Sequence, residues 1–529
     1  MKNLKLLLAL IMSLGFAMAY GQTRTVTGKV TSSKDSVPIA NVEIRIQGDL
    51  RIIKTGDDGR FSINVPENSS GLLIFTHPDH DEVEVYLNNR TVIEVVMQDN
   101  VRYNRYGVKV NRNPLYIEER NGILVHESKS GDYRFWFDAR VQADGAMFFG
   151  EPLNPIGNGV SIRRARFAAK VEFLQHWYAE IDMDIANSEL ELKDAYLAYD
   201  FDNGLELKVG NFKEGYSMES TTTSRYLTFM ERPNAVNVFA PSRHVGLAAK
   251  YNKNWLLAIG GIHFQAVDDI EERTFSKDNN KDYGTDEGVS FTGRLVAMPF
   301  YNDMDKGLHF AVAGSYRTPK SDAEVPGTVR YETRSLSSIN RKKYMDTDLI
   351  GNVDYTTLTG FEMAGYHKNL RIQGEYLMSS VHRADSVDLP TENFDGFYVF
   401  GSWLIFGGKY NYNTTEGEFT QVSRGKKWGD LEVALRYDYL NLNSGFDKIM
   451  GGAGEGITLG LNYYANNNVK IMLNYAYMNH DRYASGKNKL YVGNDIDGNL
   501  TRDPRLVANP EGEAGDDYHM ICIRFEVDF

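Results

Sequence analysis

The chain closes on His519-Met520-Ile521-Cys522-Ile523-Arg524-Phe525-Glu526-Val527-Asp528-Phe529. One parity carries His519, Ile521, Ile523, Phe525, Val527 and Phe529, the other Met520, Cys522, Arg524, Glu526 and Asp528. Successive side chains of a strand point to opposite faces, so this is a strand greasy on one side and charged on the other. The pattern recurs upstream. Phe135, Phe137, Ala139 and Val141 alternate with Trp136, Asp138, Arg140 and Gln142, and Trp177, Ala179, Ile181 and Met183 with Tyr178, Glu180, Asp182 and Asp184. Leu431, Val433, Leu435, Tyr437 and Tyr439 alternate with Glu432, Ala434, Arg436 and Asp438. Runs of about ten such residues suit a tilted strand crossing a bilayer, apolar side to lipid and charged side to a wet lumen. Soluble sandwiches use strands of about five or six.

Sixteen such segments begin near residues 133, 159, 176, 190, 204, 242, 254, 287, 306, 353, 369, 393, 429, 455, 468 and 516. That is an even number, in the size class whose lumen is an aqueous channel. Tight turns at Leu174-Gln175-His176, Asp202-Asn203-Gly204, Asn252-Lys253-Asn254 and Asn466-Asn467-Asn468 fall at one end, and long polar loops at 212–241, 268–286, 317–352 and 480–515 at the other. One connection, about 408–428, is too long for its end. The fold expected is all-β, a 16-stranded transmembrane β-barrel over residues 133–529, in an outer membrane and against its lipids.

Composition agrees. Among 529 residues there are 48 Gly and 32 Tyr but only 14 Pro, a balance that favours strands and turns. The formal charge of −13 argues against a nucleic-acid partner. A lone cysteine, Cys522, excludes a disulfide framework and Cys-rich metal sites. Mean hydropathy is −0.41, which with no apolar run of 18 residues beyond the N-terminus excludes a helical membrane protein but not a barrel. The 11 His are scattered with no Ser–His cluster, which speaks against a barrel enzyme; no cofactor and no metal site is read.

Lys2 and Lys5, the apolar run Leu6 to Phe16 and Ala17-Met18-Ala19 have the order of an export signal, over residues 1–21. Short alternating runs then imply a small β-sandwich over 22–99. Its "GKV…VPIANVEIRI…TGDDGRFSINVP" resembles the carboxypeptidase-regulatory-like sandwich, a module without known catalysis, expected in the periplasm. His77-Pro78-Asp79-His80 reads as a polar turn rather than a metal pair. Residues 100–132 read as a linker with one short strand at Ile123–Val125.

The most informative stretch for function is Ser161 to Lys170. Phe167, Ala169, Val171 and Phe173 set its apolar face, so Arg164, Arg166 and Lys170 point into the lumen, as do Arg140 and Lys208 on their own strands. Arg163 shares the apolar parity and must sit at the rim or be re-aimed by a bulge. The loop from Phe212 to Pro241, with Lys213, a hydroxyl run Ser220 to Ser224, Arg225 and Arg232, suits an element folded into a pore. Closely spaced arginines set a local potential that selects anions even in an acidic protein. The competing reading is that they neutralise lumen carboxylates such as Asp138, Glu172, Glu180, Asp182 and Asp184.

"RRARFAAKVEF", "LKDAYLAYDF…LELKVGNF", "STTTSRYLTFMERPN" and "ITLGLNYYANNNVKIMLNYAYM" resemble the phosphate-selective porin O/P family over roughly residues 130–529. The resemblance implies a homotrimer of sixteen-stranded porins passing phosphate or polyphosphate along an arginine ladder. It maps the strand arginine pair onto Arg163 and Arg164, an earlier ladder arginine onto Arg140, the loop-end arginine onto Arg232, and further ladder positions onto Arg330, Arg334 and Arg341, beside Lys342 and Lys343. There are departures. Counted back without gaps from Arg232, the family's loop lysine falls on Ser220 and its pore aspartate on Lys193 rather than Asp194; an aromatic becomes Arg166, and the nearest replacement cation in the loop is Arg225. The function expected is passive diffusion of small anions, phosphate foremost. The alternative is a general or saccharide-permeable porin in which lumen Tyr and Trp stack on sugars.

Overall fold

The computed structural model describes residues 23–67, 70–111, 115–188, 190–267, 287–319, 325, 327–334, 336–444, 449–480, 485, 488–508 and 514–529. The export segment and the loop 268–286 lie outside the described residues. The chain forms two compact units that part between residues 114 and 115.

In the first unit, Arg60–Pro66, Thr23–Ser32 and Val92–Met97 make a three-stranded sheet, and Ile52–Lys54, Glu43–Ile46, Leu72–His77 and His80–Tyr86 a four-stranded one. Their inner residues, among them Val26, Val30, Ile44, Phe61, Phe75 and Val95, form one buried cluster. His77-Pro78-Asp79-His80 is the turn joining two strands: the Asp79 N–H donates to His77 Nδ1 at 3.1 Å, and His80 Nε2 faces Asp99 at 3.1 Å. The stretch read as a linker carries more order than expected. It holds the hairpin Val101–Tyr103/Lys109–Asn111, and in the second unit the hairpin Leu115–Arg120/Ile123–Ser128.

The second unit is the barrel. Its sixteen strands are Tyr133–Phe149, Gly159–Phe173, Trp177–Asp184, Glu191–Asp200, Leu205–Lys213, Arg243–Lys253, Leu256–His263, Ser290–Ala297, Lys306–Arg317, Val353–His367, Leu370–Arg383, Glu392–Leu404, Asp430–Ser444, Ile449–Tyr464, Val469–His480 and Asp516–Asp528. Each pairs antiparallel with the next, and the first also pairs with the last, from Arg140↔Asp528 to Phe149↔His519, which closes the sheet. The backbone of Phe529 finishes the seam on Ala139, at 2.7 and 3.0 Å. Below that point Val125, His126 and Glu127 of the 115–128 hairpin pair with Trp136, Phe135 and Arg134 on the edge that the last strand leaves open. The fourteenth strand begins six residues before the expected position, because Gly451, Gly452, Ala453 and Gly454 carry no alternation to read.

Alternation sorts side chains as expected on the last strand: Phe525 is 52% exposed and Arg524 0%. The outer face carries aromatic clusters near each end, Phe173–Trp177–Tyr199–Phe201 by the tight turns and Phe149–His519–Tyr475 by the long loops. Such girdles mark the two interfaces of a membrane barrel. The tight turns need left-handed backbone at Leu174 (φ 54°) and Gln175 (φ 66°), and at Gly204 (φ 88°), where a Cβ would lie 2.3 Å from the Asn252 carbonyl oxygen.

The interior is not uniformly wet. The loop after the fifth strand folds inward with two short helices, Met218–Thr221 and Asn234–Phe239. Its Tyr216, Phe229, Val236 and Phe239 pack on Leu358, Leu377, Val381, Phe394 and Leu440 of the wall. Gly396 lets the second helix approach; a Cβ there would stand 2.8 Å from that of Ala235. The long connection 405–429 enters from the tight-turn end as a hairpin, Tyr412–Asn413 against Glu418–Phe419, and buries Tyr410 and Phe419 against Met218 and Leu404. On the wall behind these elements the inward charges face protein: Arg436 and Asp438 are each 1% exposed or less and 3.4 Å apart.

Candidate functional site

The strand pair that opens the barrel aims the cations. Gln142 pairs with Arg164 and Ala143 with Ile162, so Arg163 is the extra residue of a β-bulge. A bulge re-aims a side chain that strict alternation would send outward. Both arginines therefore turn inward. Arg163 Nε donates to Glu231 Oε1 at 2.7 Å, and Arg164 Nη1 to Gln142 Oε1 at 2.7 Å. Arg140 stands directly across from Arg166, so Arg140, Arg164 and Arg166 form a patch on two adjacent strands.

A second bulge, at Asp182/Met183, faces Asp194 and Leu192 and leaves Lys193 as the extra residue. Lys193 pairs with Glu191, while Asp194 accepts from Arg243 Nε at 2.9 Å and lines the lumen. The bulge thus turns Asp194, one residue from where an ungapped count puts the family's pore aspartate, toward the lumen.

The inward loop supplies the opposite side. Arg232 donates from Nε to the Glu219 carbonyl at 2.7 Å and from Nη2 to those of Thr222 at 2.6 Å and Ser220 at 3.2 Å. Lys213 also donates to the Ser220 carbonyl. The position expected to have lost its lysine is therefore where two other cations converge. Arg225, expected as the replacement cation, instead pairs with Asp138 and, at 3.4 Å, with Asp528. Burial, reinforced by Arg166 and Arg243, pushes the Arg232 guanidinium down to about 10, which leaves it charged at neutral pH.

These residues border two cavities. The larger, about 540 Å³, opens toward the tight turns; ten of its lining side chains are Arg or Lys and seven are Asp or Glu. The smaller, about 300 Å³, is bordered by Arg163, Arg334, Arg341 and Lys343 against Glu231 and Glu332. Two neighbouring pairs straddle the division: Arg163 and Glu231 border the smaller cavity, Arg164 and Arg232 the larger. Arg330 borders neither. It is held by Asp346, Nε to Oδ1 2.7 Å, within the outer loop's short sheet.

Part of the cationic wall is neutralised. Arg166 meets Asp184 at 3.1 Å and Asp182 at 3.6 Å, and Lys170 meets Asp138 at 3.0 Å and Glu180 at 3.6 Å. Arg243 meets Asp194 at 2.6 Å, and Lys250 and Lys208 meet Glu206 at 2.9 and 3.5 Å. The rest is not. Among the described residues no carboxylate lies within 4.0 Å of Arg140, Arg164, Lys213 or Arg232; their partners are hydroxyl, amide and carbonyl oxygens, such as Ser224 Oγ for Arg140 at 2.5 Å. Glu180, Asp182 and Asp194 converge with ligand atoms within 4.8 Å of one another, as a metal site would, but Lys170, Arg166 and Arg243 already compensate them.

Two cavity cations lay outside the expected pore set. Lys250 has lumen parity on its strand and was legible; Arg243 has the outward parity and reaches inward only because it ends its strand opposite Lys213.

The model of the family described as phosphate-selective porin O and P matches residues 135–500. Porin O of Pseudomonas aeruginosa is 21% identical over 423 residues, 73% of this chain and 91% of that protein. An uncharacterized protein of Caulobacter vibrioides is 25% identical over 363 residues, 66% of this chain and 70% of that one. Among solved structures, an anion-selective porin from Comamonas acidovorans is similar at 11% identity and a TM-score of 0.44, covering 75% of this chain and 100% of its own. The trimer form of OmpT of Vibrio cholerae is similar at 10% identity and 0.44, covering 75% and 99%. A closed sixteen-strand barrel, and a family match that takes in the strand arginine pair and the inward loop, lead to one conclusion: this chain belongs to the phosphate-selective porin O and P family of outer-membrane porins.

Proposed function

We propose that the barrel is a passive channel for small anions, with phosphate the favoured solute. It works as a homotrimer, as the family resemblance implies, and its N-terminal sandwich lies in the periplasm. One observation carries the anion reading: Arg140, Arg164, Lys213 and Arg232 border the larger cavity without a carboxylate partner among the described residues. A ladder built only to balance lumen carboxylates would leave no such surplus. A phosphate offers several oxygens to the N–H donors of a guanidinium, and a solute that replaces neutral acceptors with charged ones gains binding energy at those positions. At the other cavity Arg163 and Lys343 are paired with Glu231 and Glu332, but with Arg334 and Arg341 the four cations outnumber the two carboxylates, so an anion meets net positive charge on both sides of the Arg163–Arg164 division. Selection arises from differential binding along a wet path, with no moving part.

Planar-bilayer recordings of the purified protein test this. The reversal potential in a KCl gradient should report anion preference, and added phosphate should block chloride current. Cation preference, or chloride current indifferent to phosphate, removes the proposal.

A further inference from the structure

The larger cavity has a side that bare-anion passage leaves unexplained. Trp136, Tyr178, Tyr196 and Phe212 come from four strands, and their rings follow one another along the inner wall with centroid spacings of 6.1, 5.7 and 6.1 Å. Trp136, Tyr196 and Phe212 border the cavity itself. The tyrosines are held: Tyr178 and Tyr196 both donate their hydroxyls to Glu180 Oε2, at 2.6 and 3.1 Å. Lys208 Nζ stands 4.5 Å from the centre of the Tyr196 ring and 5.6 Å from that of Phe212.

Beside this row lie Glu180, Asp182 and Asp194. Paired with Lys170, Arg166 and Arg243, these carboxylates offer an inorganic anion nothing, but their oxygens are strong acceptors for hydroxyl groups. Asp182 Oδ1 has no hydrogen-bond partner among the described residues. Aromatic faces offer apolar area at fixed orientation with a negative face toward polarised C–H bonds. Rings, hydroxyl acceptors and cations within one cavity match the three parts of a phosphorylated sugar: an apolar ring face, hydroxyls and a phosphate.

Resting on the anion-channel reading and narrowing its solute class, the geometry points to sugar phosphates as the preferred cargo. The ring face slides along Trp136, Tyr196 and Phe212, hydroxyls are taken by the carboxylates, and the phosphate is held by Arg164, Lys208 and Arg232.

The test compares three probes as blockers of chloride current through the full-length protein in planar bilayers: glucose 6-phosphate, inorganic phosphate and glucose. The sugar phosphate should block at about a tenth of the concentration that inorganic phosphate needs, and glucose should not block. Trp136→Ala should remove that preference while phosphate block stays within about twofold; Tyr196→Leu repeats the measurement should Trp136→Ala fail to insert. Equal block by phosphate and its sugar ester, block by glucose as strong as by the ester, or a preference unmoved in both variants overturns the inference while chloride selectivity and phosphate block stand. Loss of chloride selectivity or of phosphate block in the unsubstituted protein overturns the channel reading, and the inference with it.

Discussion

Replacing Arg164 by Gln isolates the charge that the anion reading depends on. Arg164 is 5% exposed, borders the larger cavity and donates from its guanidinium to Gln142 Oε1 at 2.7 Å, with no carboxylate among the described residues within 4.0 Å. Glutamine keeps a donor for Gln142 and removes one positive charge. Two unit charges 4 Å apart interact by about 1 kcal/mol in bulk water and about 4 kcal/mol at an effective dielectric of 20. The lumen is wet, so about 1.4 kcal/mol per unit of solute charge is appropriate, which is about tenfold in affinity for a singly charged phosphate. Screening does little, because contact is well inside the Debye length of about 8 Å at physiological salt. The assay is phosphate titration of chloride conductance in planar bilayers, with heat-modifiable gel mobility as the check on folding. The half-blocking concentration should rise about tenfold and the anion preference should fall. Arg166→Gln removes the same formal charge, but its donors are engaged by Asp184 and Asp182, so phosphate block should weaken by less than about threefold. Equal effects from the two substitutions, or a folded Arg164→Gln channel blocked as before, would refute the distinction between compensated and uncompensated cations.

Removing Arg243 and Asp194 together, as Arg243→Gln/Asp194→Asn, deletes a neutral pair and should leave the reversal potential unchanged, whereas Asp194→Asn alone should raise anion preference. Glu418, on the hairpin that enters from the tight turns, is pushed up to about 7 by burial and then by Glu416. Lowering the pH through 7 therefore removes the Glu418 charge from the larger cavity; anion preference should rise in reversal-potential titrations, and Glu418→Gln should shrink the rise. Phe239→Ala opens a void where the inward loop meets the wall, beside Tyr331 at a ring separation of 5.7 Å. Core truncations of this kind cost about 3–5 kcal/mol, so the loop should loosen, seen as larger and noisier single-channel conductance and faster proteolysis within 214–242.

The number of strands and most of their starts were legible because one alternation rule governs every lipid-facing segment. The rule lost position where its signal vanishes, at Gly451 to Gly454. It lost direction where a bulge inserts a residue. For Arg163 the mismatch with its apolar neighbours was itself the clue, and for Lys193 and Asp194 nothing in the residue types announced the shift. Strand-end geometry hid Arg243 in the same way. The long connection at the tight-turn end was visible as an anomaly in length alone. Its cause is three-dimensional, since Tyr410 and Phe419 need the wall and the inward loop to bury against.

The inward parity is not one environment. Leu358, Leu377, Val381, Phe394 and Leu440 have that parity and are apolar, because what they face is the inward loop rather than water. On the same side Arg294 is locked to Glu362 at 2.7 Å, and Arg524 to Asp144 at 2.7 Å, both fully or almost fully buried. Arg436 lies with its guanidinium 4.6 Å from the Phe229 ring centre. Buried pairs of this kind hold the loop in register but present no field to a passing solute. Counting inward arginines from the sequence therefore overstates the pore's positive charge, whereas the strands Tyr133–Phe149 and Gly159–Phe173 and the loop residues 213–232 carry the cavity cations that have no carboxylate partner among the described residues. A neutralised arginine and a free one have the same letter and the same parity; only the oxygen opposite tells them apart, and that oxygen belongs to a residue up to several hundred positions away, as Asp144 is from Arg524.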